Sequence, residues 1–298
     1  MRAQYREEPC RSALNRVRGM PFAFSLNPYM GCAHRCTFCY VRAYELRADR
    51  PSDDRYGRSI RVKVNVAEVL RRELGRTSWT GDTVAIGAAT DPYQPAEGRY
   101  RLTRGCLEAL RDAGNPFSMI TRSPHVVRDL DVLAEAASRA DVAVVFSVPT
   151  LDEEVWRRTE PGTPPPRRRL EALSRLVEAG VKASVGMAPI LPGISDSPEQ
   201  LERVVRAARE AGATGVWANV LYLKPGTREH FLDALARDWP EQLDRYERLY
   251  DSRSYLPKAQ VEPVQRAVGE LRRRHGIRDR RTVRLEPPTP VEQLAFAL

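Results

Sequence analysis

From residue 83 onward the chain alternates short β-branched runs with amphipathic helical stretches, and few folds accept that order. TVAIGAA (83–89), FSMIT (117–121), VAVVFSV (142–148), KASVGMAPI (182–190) and GVWANVL (215–221) read as buried strands. Helical periodicity fills the intervals at 66–75, 103–113, 126–138, 167–179 and 198–211. End signals agree: Thr103 is expected to cap a helix that Gly114 stops, and Ser197–Pro198 opens another with Gly212 just past its end. Such alternation implies parallel strands joined by right-handed crossovers. A further strand near Phe24–Pro28 brings the count to about six β/α units, so an α/β fold is predicted: a partial (β/α)6 TIM-like barrel rather than a closed eightfold one. Residues 1–23 are polar and irregular and read as an N-terminal extension. The barrel takes 24–222. Helical patterns at 228–250 and 258–275 make a helical C-terminal extension over 223–285 that caps the barrel. A proline-rich, then apolar, flexible tail occupies 286–298.

At 298 residues, 42% hydrophobic and 29% charged, the composition is that of a soluble globular protein. No apolar run reaches the roughly 18 residues of a membrane span, and the first residues lack a signal-peptide core, so a cytoplasmic location is expected. The net charge of +9 comes with arginine clusters at 71–72, 157–158, 167–169, 272–274 and 280–281. Two readings carry similar weight: a phosphate-binding surface for nucleic acid, or arginine-rich helix faces paired with nearby carboxylates.

Three of the five cysteines fall within eight residues, Cys32-Ala-His-Arg-Cys36-Thr-Phe-Cys39, directly after the first expected strand. Loops at the C-terminal ends of parallel strands are where such folds place chemistry. Thiolates suit an iron–sulfur cluster or zinc. A closed zinc knuckle needs a fourth ligand. His34 lies inside the loop with poor geometry, Cys10 is remote, and no second cysteine hook follows. Three thiolates on a four-iron cluster leave one iron open to a cofactor or substrate.

This CxxxCxxC loop, with Phe38 before its last cysteine, resembles the radical S-adenosylmethionine (SAM) superfamily over roughly residues 22–222. The resemblance implies a [4Fe–4S] cluster on Cys32, Cys36 and Cys39, and SAM chelated by the open iron. It further implies reductive cleavage to a 5′-deoxyadenosyl radical and a reductant such as flavodoxin or ferredoxin. By the same resemblance, Ala88, Ala89, Thr90 and Asp91 lie where the family meets the amino group of SAM. Ser123 and Ser147 end the next strands and are candidates for its ribose or carboxylate. Ile190 and Pro192 stand at the adenine-contacting segment, and Glu160 with Arg169 form a candidate clamp on the SAM carboxylate or on the substrate. For each, a turn, capping or surface ion-pair role is the plain alternative.

SLNPYMGCAHRCTFCYVR, ATDPYQPAEGRYRLTRGCLEAL and TEPGTPPPRRRLEAL are similar to the spore photoproduct lyase-like branch. That branch's founding member repairs a thymine dimer in DNA, using a cysteine after its second strand and two tyrosines around its last cluster cysteine. Here Ala89 or Thr90 replaces the cysteine, and Phe38 and Tyr40 stand at the tyrosine positions, so one tyrosine is kept. Tyr93 and Cys106 are further relay candidates, with turn packing and core burial as their alternatives. Asp91 and Glu97 share the Tyr93 loop and are candidates for orienting SAM or substrate. Gln293–Leu298 is similar to short peptides that dock on the sliding clamp; a tail folded onto its own core is the competing reading. The leading expectation is a radical SAM enzyme acting on a DNA lesion or nucleotide. A small-metabolite or peptide substrate, or a non-catalytic zinc- or nucleic-acid-binding protein, are the alternatives.

Overall fold

The computed structural model describes residues 3–279 together with Val283 and Leu285. In chain order the strands are β1 (Gln4–Glu8), β2 (Leu14–Arg16), β3 (Phe24–Leu26), β4 (Tyr29–Met30), β5 (Ser59–Lys63), β6 (Val84–Ile86), β7 (Phe117–Thr121), β8 (Val142–Ser147), β9 (Lys182–Ile190) and β10 (Val216–Val220). The helices are α1 (Arg42–Arg47), α2 (Val66–Leu74), α3 (Glu97–Tyr100), α4 (Leu102–Asp112), α5 (Leu130–Arg139), α6 (Glu153–Thr159), α7 (Pro166–Glu178), α8 (Pro198–Glu210), α9 (Thr227–Asp238), α10 (Leu243–Leu249) and α11 (Lys258–Arg274).

The main sheet runs β10-β9-β8-β7-β6-β3-β2. Its six strands from β3 to β10 are parallel neighbours in chain order. This is the six-unit partial barrel read from the sequence, open rather than closed. The strands are buried and β-branched because helices cover them, and one core runs from Leu26 and Val84 through Phe146 and Val185 to Leu271. Helix α4 shows the matching pattern on its side: Thr103, Cys106, Leu107 and Leu110 recur at helical spacing and all are buried. Helix α11 packs on β10 and α8. Among the described residues no helix is long and apolar enough to cross a membrane.

Three local expectations are corrected. Residues 1–23 are not wholly irregular: β1 pairs in parallel with β5, and β2 pairs antiparallel with β3. Glu73 secures the linker between them by accepting from Ser12 Oγ and from the backbone N–H groups of Ala13 and Leu14. Thr103 does not cap α4. The cap is Arg101 at φ 51°, and the buried Glu97 carboxylate takes the free N–H groups of Thr103 and Arg104 instead. The stretch 228–250 is not one helix. It breaks at Trp239, where Pro240 opens a 3₁₀ turn, because proline cannot continue the hydrogen-bond ladder. Ser197 does cap α8, through a full capping box with Gln200. The tail segment Gln293–Leu298 lies outside the described residues.

Candidate active site at the cysteine loop

Parallel strands project their C-terminal loops to one end of the sheet, and the segment after β3 carries Cys32, Cys36 and Cys39 there. The loop is tight: Arg35 N–H donates to Cys32 O, and Cys39 N–H to Cys36 O. Arg35 takes φ 53°. All three thiols are free, Cys32 and Cys36 buried and Cys39 partly so. Burial pushes the Cys32 thiol well above the usual range, and the negative charges of Asp91, Cys39 and Cys36 add to it. Burial also pushes Cys36 up to about 12, against the opposing pull of the Arg122 guanidinium.

The loop after β6 grips the cysteine loop from one side. Thr90 Oγ1 and Gln94 Nε2 both donate to Gly31 O, at 2.7 and 3.0 Å, and Ala33 N–H donates to Gln94 Oε1. The Tyr40 hydroxyl donates to Ala88 O, while Ala89 N–H donates to Asn27 Oδ1. Asp91 ties three loops together. It accepts from Thr121 Oγ1 and from the N–H groups of Tyr93 and Arg122, and sits 3.3 Å from His34 Nδ1. Burial alone would raise its pKa; the His34 imidazole and these donors overcome burial and hold it at about 2.

From the other side, Gly162 N–H donates to His34 O, and any Cβ there would stand 2.6 Å from Ala33 O. Gly57 packs as closely on Cys32 O. The buried Arg42 guanidinium donates to Ser52 O and Asp53 O at 2.7 Å, reaches Cys36 O at 3.4 Å and covers the Tyr56 ring. Tyr56 Oη lies 3.5 Å from Cys39 Sγ.

Arg122, the first residue past β7, stacks over the Phe38 ring at 5.3 Å and donates to Ala188 O. Its Nε stands 3.5 Å from Glu160 Oε1. Glu160 also pairs with Arg169, and both are wholly buried rather than a surface pair. Arg169 further donates to Ser147 O, Thr163 Oγ1 and Pro164 O. Burial would raise Glu160, but Arg169 and Arg122 pull it below the usual carboxylate range.

The structure thus gathers Phe38, Tyr40, Ala88, Ala89, Thr90 and Asp91 around the three cysteines, and connects Glu160 to them through Arg122. Ser147 meets this group through its carbonyl, and Ser123 caps the 3₁₀ turn after β7. Ile190 is buried in the main core, and Pro192 is buried in the turn past β9. Two relay candidates lie elsewhere. The buried Tyr93 hydroxyl donates to Asp129, and Cys106 is fully enclosed on α4 within the main hydrophobic core. Glu97 likewise serves the fold, holding Tyr29 and the start of α4. Sequence reasoning missed Arg122, Arg42, Gln94 and Asn27. For Arg122 the signal was present, since it occupies the strand-end position beside Ser123. Many clustered arginines are paired on helix faces, as in Arg157–Glu153, Arg158–Glu154 and Arg168–Glu171.

The sequence profile of the radical SAM superfamily matches residues 26–202. An uncharacterised protein of Mycobacterium tuberculosis is 41% identical over 271 residues, covering 90% of this chain and 79% of that protein. A protein of Acidianus two-tailed virus is 31% identical over 224 residues, 71% of each chain. A radical SAM Nalpha-GlyT isomerase of a Pseudomonas phage is 28% identical over 174 residues, covering 58% of this chain and 34% of that protein. Among solved structures, spore photoproduct lyase with bound AdoMet and dinucleoside spore photoproduct shares the fold. Its TM-score is 0.68 at 15% identity, over 91% of this chain and 79% of the lyase.

Proposed function

This chain belongs to the radical SAM superfamily and is an enzyme, and on that footing we propose that Cys32, Cys36 and Cys39 hold a [4Fe–4S] cluster, that SAM binds beside it, and that the substrate is nucleic acid. When bound, the cluster supplies the electron that splits SAM into methionine and a 5′-deoxyadenosyl radical, which takes a hydrogen atom from the substrate.

The donor set fits such a cluster: three free thiols lie on one short loop, and thiolates are the ligands iron–sulfur clusters take. The observation that carries the reading is the loop's anchoring: Gln94, Thr90, Arg42 and Gly162 fix its backbone, so the thiols need little rearrangement to bind. Arg42, buried, and Arg122, partly buried, bring two guanidinium groups to a site that must accept thiolate charge. Tyr40 donates to Ala88 O and Thr90 donates to Gly31 O, which ties the 88–90 segment to both ends of the cysteine loop as the proposed ground for the methionine end of SAM.

Nucleic acid as substrate is supported by the net charge of +9 and by the fold shared with a lyase whose structure holds a dinucleoside photoproduct. Ala89 and Thr90 offer no thiol, so return of a hydrogen atom from that position, as in the lyase, is not expected. Flavodoxin or ferredoxin is the proposed electron donor. Clamp docking through Gln293–Leu298 is tested by deleting those residues.

Anaerobic reconstitution with iron and sulfide should give a brown protein that cleaves SAM after reduction, and Cys36→Ala should abolish both. A colourless protein retaining zinc would sink the cluster assignment. Salt-dependent binding to single-stranded or duplex DNA tests the substrate class, and no affinity at low salt would refute it.

A further inference from the structure

Beside the cysteine loop a row of aromatic rings runs outward to the surface. Tyr222, just past β10, lies 6.2 Å from Tyr40, centre to centre. Tyr255, in the loop before α11, stacks on Tyr222 at 5.0 Å with their planes 18° apart. Tyr44 meets Tyr40 edge-on at 6.0 Å. The outer members are open to solvent: Tyr255 is 57% exposed and Tyr44 41%. Leu223 N–H donates to Ser254 O at 2.8 Å, so the Tyr255 loop is tied to the end of β10.

Charge accompanies the rings. Lys224 Nζ stands 5.8 Å from the Tyr255 ring centre, and Lys258 edges the cleft that Tyr222 and Tyr255 line. The lysine ion pair among the described residues is Lys182–Asp141, which leaves Lys224 and Lys258 without a carboxylate partner there. Isolated exposed tyrosines are ordinary. A stacked pair flanked by two ammonium groups that have no carboxylate partner among the described residues, continuous with the cysteine loop, is a more specific arrangement.

We propose that Tyr255, backed by Tyr222, is a stacking platform for an unpaired nucleobase, with Lys224 and Lys258 taking the adjoining phosphates. This rests on the nucleic-acid reading above and adds where the strand lies. Every base offers a π face to an aromatic ring, whereas phosphate contact by lysine carries the salt dependence. The row leads inward to Tyr40, so a nucleotide next to the stacked base is directed toward the cysteines. Enzymes acting on a base must receive it unstacked from its neighbours.

The test is fluorescence anisotropy of a labelled oligothymidylate titrated with the reconstituted full-length protein. Tyr255→Ala should weaken binding roughly 5- to 100-fold while leaving the salt slope unchanged, because a stacking contact and no phosphate contact is lost. Tyr255→Phe keeps the ring and should bind as the wild type does. Lys224→Gln should lower the slope by about 1. Equal affinity of Tyr255→Ala and wild type overturns the platform and spares the nucleic-acid reading, as does equal loss in Tyr255→Ala and Tyr255→Phe. A wild-type protein that binds neither the oligonucleotide nor duplex DNA at low salt overturns that reading, and the platform with it.

Discussion

Replacing Arg169 by methionine removes a charge while roughly keeping the side chain's length. Arg169 is fully buried. Its guanidinium donates to Ser147 O at 2.7 Å, Thr163 Oγ1 at 2.7 Å and Pro164 O at 2.9 Å, besides pairing with Glu160. Hydrogen bonds to charged groups contribute about 1.5–3 kcal/mol each, but contacts in one network do not add. The larger effect is the Glu160 carboxylate left in the interior with Arg122, at 3.5 Å, as its remaining cation among the described residues. Breaking a buried ion pair from one side costs about 3–5 kcal/mol, and that is the expected loss for Arg169→Met. Urea denaturation followed by far-UV circular dichroism reads it as a fall in midpoint at constant slope. The double variant Glu160→Gln/Arg169→Met should recover about 1–2 kcal/mol, because the stranded carboxylate is gone. A single-variant cost below about 1 kcal/mol would refute the reasoning. Glu160 accepts from Thr163, one residue past the glycine packed on the cysteine loop, so the same variant should also take up less iron on reconstitution.

Gly162→Ala would set a Cβ 2.6 Å from Ala33 O and 2.7 Å from His34 O, backbone atoms that cannot yield without moving the cysteine loop. Its iron content after reconstitution should fall while its circular dichroism stays native; wild-type iron loading would contradict this. His230 is held neutral by burial and by the Arg42 charge, with its pKa lowered from 6.5 to about 4. The unfolded chain therefore takes up that proton first as acid is added. Stability from this group is complete above pH 6.5 and lost as pH falls from 6.5 toward 4, by on the order of 2–3 kcal/mol. His230→Gln should flatten stability across that window, and an unchanged pH profile would exclude the assignment. Glu73→Ala removes the acceptor for Ser12, Ala13 and Leu14, at about 1–3 kcal/mol. Limited proteolysis should then cut within the first twenty residues faster than in wild type.

Elements set by local pattern were readable in the sequence. The six parallel strands, helices α2, α4, α5, α7 and α8 between them and the Ser197 cap follow from side-chain periodicity and end chemistry within a few residues, whereas the short α1, α3 and α6 do not. The three cysteines declared themselves by spacing, and their position at a strand's C-terminal end followed from the alternation. What the sequence left open was settled by contacts between distant residues. Thr103 has the side chain of a cap, but the Glu97 carboxylate, brought close by the turn at Arg101, takes that role. Glu160 and Arg169 look like surface charges in a proline-rich stretch, yet the fold buries both, because Arg122 and the Ser147 and Pro164 carbonyls satisfy them there. The grip of Gln94 on Gly31 and the stack of Tyr255 on Tyr222 join partners more than thirty residues apart, where no local periodicity reaches. The chain alone thus determined which loop carries the thiols. Only the packed sheet, by bringing six strand ends to one face, decided which charges and rings surround them.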